Sequence, residues 1–125
     1  DRYYLNTSEP VQSENEGFYN YQEEQAQAQG RQTQVGRFPI SANGKALGLG
    51  DSEGFVKTII DAEYGEILGV HMIGPEVTEL LAELSMARML EGTAQEVGWL
   101  VHAHPTLSEV VKESALAARG EAIHM

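Results

Sequence analysis

Phe55-Val56-Lys57-Thr58-Ile59-Ile60-Asp61 and Ile67-Leu68-Gly69-Val70-His71-Met72-Ile73 lie on either side of Glu63-Tyr64-Gly65-Glu66. Both arms are rich in β-branched and long apolar residues, and a polar segment with a glycine separates them. The pattern predicts two strands folded back on each other as a β-hairpin. Upstream, Thr33-Gln34-Val35-Gly36-Arg37-Phe38-Pro39-Ile40 alternates polar and apolar residues and predicts another strand. Pro39 has no N–H to donate, which confines that strand to an edge or places the proline at its end. Ser41-Ala42-Asn43-Gly44-Lys45 reads as a turn, with Gly48, Gly50 and Gly54 keeping the connection irregular.

Beyond the hairpin the period changes from strand to helix. Gly74-Pro75 opens a helix in which Val77, Leu80, Leu81, Leu84 and Ala87 share one face. Glu76, Glu79 and Glu83 lie elsewhere on it, near the positive end of its dipole. Glu91-Gly92 ends this helix, and Thr93-Ala94-Gln95-Glu96 is a capping box that starts a short one. His102-Ala103-His104-Pro105 interrupts the pattern. Thr106-Leu107-Ser108-Glu109 is a second capping box, opening a helix that runs to about Ala118. Strand, hairpin, then helices predict an α+β domain whose antiparallel β-sheet has helices packed on one face.

Residues 1–30 differ, being rich in Gln, Asn, Glu and Tyr. Glu23-Glu24-Gln25-Ala26-Gln27-Ala28-Gln29 before Gly30 reads as a short helix, and Phe18-Tyr19 as a short strand. The division expected is an atypical arm over 1–21 and a domain over 22–125. At 125 residues and 42% hydrophobic content, the chain suits one domain with one core. Starting at Asp1, it is expected to be part of a longer protein.

There is no cysteine, which excludes disulfide scaffolds, cysteine zinc sites and thiol catalysis by this chain alone. A formal net charge of −11 argues against nucleic acid and anionic membranes as partners. No apolar run approaches the roughly 20 residues of a membrane span, and no secretory signal is evident. The expected location is cytoplasmic. Asn6-Thr7-Ser8 matches the glycosylation triplet without other support for secretion. The glycines from Gly44 to Gly54 lack the strand–glycine–helix order of a phosphate loop. His71 reads as a packed or edge strand residue and His124 as solvated. Trp99, Met72, Met86 and Met89 read as core or interface filler.

The segment with chemical potential is His102–Glu109. Proline keeps the backbone at His104 out of the helical region, so Glu109, in the first turn of the next helix, can fold back toward that ring. A carboxylate bonded to one ring nitrogen fixes the tautomer and raises the basicity of the other, as a general acid–base histidine requires. Spacing alone favours a simpler role, in which Glu109 caps the helix and both histidines are turn residues. A third reading is a metal site using both rings, although the sequence offers no evident third ligand.

His-Ala-His-Pro-Thr-Leu-Ser-Glu at 102–109 resembles the C-terminal signature of dihydrolipoamide dehydrogenases, a branch of the pyridine nucleotide–disulfide oxidoreductases. The resemblance extends to Val35–Ala46, Gly54–Lys57 and Gly65–Pro75, and spans about Gln22 to His124. It separates this branch from glutathione reductases, whose motif differs after His-Pro-Thr, and from mercuric reductases, which lack that histidine. The resemblance implies the dimerisation domain of a homodimeric flavoenzyme that oxidises protein-bound dihydrolipoamide with FAD and NAD. It implies that His104 is the acid–base residue, oriented by Glu109, and that the pair acts on the opposite subunit's active site. His102 and Pro105 would then lie near the FAD of that subunit, and lipoyl domains of 2-oxo acid dehydrogenase complexes would be partners. The family's FAD and NAD folds and its Cys-x4-Cys disulfide are absent here, so the chain alone is expected to be inactive. Residues 1–21 also lack the family's apolar first strand. The alternative expectation is a stand-alone, non-catalytic dimerisation module of the same fold.

Overall fold

Hydrogen bonding across the hairpin joins β4 (Phe55–Asp61) to β5 (Ile67–Ile73), with the bounds the sequence predicts. The computed structural model describes residues 3–4, 12–13, 28, 30 and 32–121. β3 (Thr33–Pro39) pairs antiparallel with β4, giving the sheet order β3-β4-β5. Pro39 is the last residue of β3, where its missing N–H costs no ladder bond. Within the expected arm, β1 (Tyr3–Tyr4) and β2 (Gln12–Ser13) pair antiparallel. Phe18-Tyr19 and the Glu23–Gln29 segment, Ala28 excepted, lie outside the described residues, as does His124.

One face of the sheet is Phe38, Val56, Ile60, Ile67, Val70 and Met72, all buried in a single cluster with apolar side chains from the helices. A bulge at Leu68 lets Ile60 face Ile67 while Ile59 faces Gly69, which keeps the apolar side chains of β5 on the core side. On the opposite face Ile59 and Leu68 form a smaller cluster. There His71, read as a packed or edge residue, is fully buried opposite its register partner Lys57.

The connection from β3 to β4 is more regular than the glycines suggest. A 3-10 turn at Ile40–Ala42 leads into helix α1 (Gly44–Leu49), where an irregular loop was expected. The physical cause is Asn43, whose side-chain oxygen accepts the Ala46 N–H at 2.8 Å and caps the helix. Buried Ile40 and Ala46 hold the segment down, and Gly50, at φ 75°, closes it in the left-handed conformation.

Helix α2 (Val77–Met89) buries Val77, Leu80, Leu81 and Leu84, the face expected of it. Helix α3 (Ala94–Trp99) starts at the predicted capping box, with the Thr93 N–H donating to Glu96 at 2.9 Å and the Thr93 hydroxyl donating to the same carboxylate. Helix α4 runs Glu109–Ala118, so it begins later than the capping-box reading of Thr106 places it. It lies against the sheet, where the hydroxyls of Thr58 and Ser114 meet at 2.8 Å in the buried interior. The approach is close because position 36 has no side chain. A Cβ there would stand 2.1 Å from the Ala118 nitrogen and 2.2 Å from the Ser114 oxygen.

Two predictions follow from this packing. Gly36→Ala should lose about 3 kcal/mol of stability in chemical denaturation, because the clash is with backbone that cannot rotate away. Gly48→Ala, where a Cβ meets nothing within 4 Å, should gain about 0.5–1 kcal/mol through helix propensity. At α3, the hydrogen bond from the Thr93 hydroxyl is the main cause holding the Glu96 carboxyl below its ordinary value of 4.5. A carboxylate whose folded value is depressed stabilises above the unfolded value and loses that contribution as the pH falls through the folded one. The stability difference between the wild type and Glu96→Gln should therefore be constant above pH 4.5 and shrink in more acid solution, as read by unfolding at a series of pH values.

Candidate functional site

The loop between α3 and α4 carries the residues singled out at 102–109, and the structure gives its two histidines different partners. His104 meets Glu109, with Nδ1 2.9 Å from Oε1 and 3.1 Å from Oε2. A carboxylate accepts, so Nδ1 carries the hydrogen of this contact, and in the neutral ring Nε2 is then the nitrogen with the lone pair. The His104 side chain is 75% exposed while that of Glu109 is 20% exposed. The geometry is a histidine held from behind with its other nitrogen toward solvent. The His104–Pro105 peptide is cis, and Pro105 is exposed.

Glu109 does two jobs that the sequence presents as alternatives. Its Oε1, besides facing His104, accepts the Thr106 N–H at 3.0 Å. The reciprocal half of the capping box is missing, because the Thr106 hydroxyl donates to the Ala103 carbonyl at 2.6 Å instead. That bond turns the chain back on itself beneath His104. The Thr106 carbonyl in turn accepts from Asn43 Nδ2 at 3.0 Å, tying the loop to the start of α1. A small cleft beside the dyad is lined by Ala42, Asn43 and Gly44 on one side and Glu113 on the other.

His102 is arranged in the opposite way. Its side chain is only 4% exposed. Nε2 lies 2.7 Å from Glu83 Oε2 on α2, and Nδ1 lies 2.9 Å from the Leu100 carbonyl. Both ring nitrogens are thus engaged, one by a carboxylate and one by a backbone carbonyl. The two rings thus engage separate carboxylates rather than converging as a metal pair. What His102 offers a neighbouring molecule is its backbone, since the ring is enclosed. Sequence reasoning missed Asn43 and Glu83. The first was legible as a cap three residues before Ala46, but nothing local ties Glu83 to position 102.

Large apolar side chains surround this loop in the open. Met86 and Met89 on α2, Leu90 just after it, Trp99 at the end of α3 and Leu100 and Val101 beyond it are all exposed. The His102–Glu83 bond lays residues 100–102 along α2, and Met86 and Leu90 follow Glu83 at helical spacing on the same side. These exposed apolar side chains lie on the helix that anchors the loop and on the chain that leads into it.

Residues 20–115 match the family model described as the pyridine nucleotide-disulphide oxidoreductase dimerisation domain. The dihydrolipoyl dehydrogenase of Bacillus subtilis is 52% identical over 102 residues, covering 82% of this chain and 22% of that protein. That of Zymomonas mobilis is 50% identical over the same share of this chain, again 22% of its own length. The chain thus spans about a fifth of the curated relatives it matches. Among solved structures, the HOCl-induced flavoprotein disulfide reductase of Escherichia coli superposes with a TM-score of 0.71 at 25% identity, covering 74% of this chain and 21% of that one. The α+β sheet-and-helix architecture is shared with that enzyme. The chain belongs to the dimerisation-domain family of the pyridine nucleotide-disulphide oxidoreductases, and within it resembles the dihydrolipoyl dehydrogenases.

Proposed function

We propose that this chain is the dimerisation domain of a dihydrolipoamide dehydrogenase and that His104, oriented by Glu109, is the acid–base residue of the opposite subunit's active site. The observation that carries the reading is the 2.9 Å contact of His104 Nδ1 with Glu109, which leaves Nε2 as the basic nitrogen on an exposed ring. In the step proposed, a dihydrolipoamide thiol gives its proton to Nε2. The resulting thiolate attacks one sulfur of a disulfide supplied by another part of the enzyme, and the second sulfur leaves as a thiolate. Glu109 stabilises the imidazolium that forms. This chain has no cysteine, so it supplies the proton acceptor and not the disulfide. On its own it is inactive.

The domain occupies residues 22–125, with 1–21 as an arm. It forms a homodimer through the apolar surface around Met86, Leu90, Trp99 and Val101, and the parent enzyme serves lipoyl domains in the cytoplasm. FAD and NAD would be held elsewhere in that enzyme. Gly44 and Gly48 lie within α1, and Gly50 and Gly54 stand between that helix and β4, the reverse of the strand–glycine–helix order of a dinucleotide-binding turn. Among the described residues this connection does not build a nucleotide site, and the backbone of His102 to Pro105 would at most border the flavin.

The test is a chimera in which this chain replaces the matching segment of the Bacillus subtilis relative. His104→Gln should lower its kcat for dihydrolipoamide by about 10²–10⁴-fold with flavin content unchanged. Equal loss of flavin and turnover would overturn the role. Glu109→Gln keeps an oxygen for the Thr106 N–H and should leave stability within about 0.5 kcal/mol, yet lower kcat as well. If Glu109 only capped the helix, its glutamine variant would turn over normally.

A further inference from the structure

We infer that His102 is a positioning residue for His104: pinned by Glu83, it makes the dyad loop an extension of helix α2. The inference rests on the reading of His104 as the base. From Leu100 to Pro105 every residue is exposed except His102, whose ring is enclosed. An exposed stretch without regular structure samples many backbone conformations unless something fixes it. The fixing contacts are few and identifiable. His102 Nδ1 lies 2.9 Å from the Leu100 carbonyl, closing the chain locally, and Nε2 lies 2.7 Å from Glu83 Oε2, fastening that closed unit to α2. A hydrogen bond between an imidazole and a carboxylate is charge-assisted and stronger than an ordinary turn contact.

The far end of the loop is held separately. The Thr106 carbonyl accepts from Asn43, and the Thr106 hydroxyl donates to Ala103. His104 therefore sits between an anchor on α2 and an anchor on α1. A base works only when its nitrogen is held close to the proton it removes, and small displacements are costly to the rate. The choice of α2 as an anchor has a further consequence. Glu83 stands on the same side of that helix as the exposed Met86 and Leu90. The helix whose apolar side chains meet the second copy is then also the helix that sets the loop. A base that must act across an interface is located by the interface itself.

The test is side-chain nitrogen NMR of the full 125-residue chain, reading the tautomer ratio of His104 at a pH where the ring is neutral. Glu109→Gln should move that ratio away from the Nδ1–H form. Glu83→Ala lies at a half-exposed helix position and leaves Glu109 in place. It should also move the ratio in that direction, by roughly three- to tenfold, the worth of one ordinary hydrogen bond. Glu83→Gln, which keeps an acceptor oxygen, should restore part of it. If Glu109→Gln moves the ratio and Glu83→Ala does not, the positioning role is overturned while the dyad stands. If neither substitution moves it, the dyad reading falls and the positioning role with it.

Discussion

Helix α4 lies against the sheet at backbone distance because position 36 carries no side chain, and the place of the histidine–glutamate pair depends on that seat. Its buried face, which includes Val110, Val111, Ala115 and Ala118, joins the same cluster as Val56, Ile60 and Val70. The Ser114 hydroxyl donates to the Val111 carbonyl of its own helix and meets the buried Thr58 hydroxyl of the sheet, which thereby gains a partner across the interface. Glu109 is the first residue of this helix. Its carboxylate is therefore as well placed as the core beneath it, and the ring it holds inherits that placement.

The two histidines show how one short loop separates rigidity from reactivity. A ring bonded at both nitrogens has no free site for a proton transfer and serves as a strut, which is the state of His102. A ring bonded at one nitrogen keeps the other for chemistry, which is the state of His104. Burial sharpens the difference. The ring of His102 is enclosed beside the partly exposed Glu83, whereas exposed His104 remains in reach of a partner. The residues are of the same type, two positions apart, and their neighbours decide what each can do.

The sheet was legible in the sequence because its strands announce themselves locally. β4 and β5 are rich in β-branched and long apolar residues, and Pro39 marks where β3 must stop. The buried face of α2 followed from spacing for the same reason. Helix α1 was hidden because Gly44 and Gly48 resemble turn residues and the decisive contact, Asn43 capping Ala46, is a matter of conformation rather than composition. The start of α4 was misplaced because Thr106 spends its hydroxyl on Ala103 rather than on the helix. At the site, the His104–Glu109 contact was readable since it spans five residues. The contacts of Glu83 with His102 and of Asn43 with Thr106 were not, because they span 19 and 63 residues and exist only after folding.

On the proposed reading, exposure of His104 in a single copy is a consequence of design by symmetry rather than a loose end. A two-fold interface is isologous, so each copy both gives and receives the same surface. A base that serves the opposite subunit must stand outside its own fold, next to the surface that will be covered. Trp99, Leu100 and Val101 precede the loop directly, and Met86 and Leu90 flank its anchor. Association would bury these side chains and draw water away from the dyad, strengthening the interaction of Glu109 with the imidazolium. The acidic surface, at a net charge of −11, opposes association of two copies at long range. Apolar burial, rather than charge attraction, is then the force that must bring the base to its site.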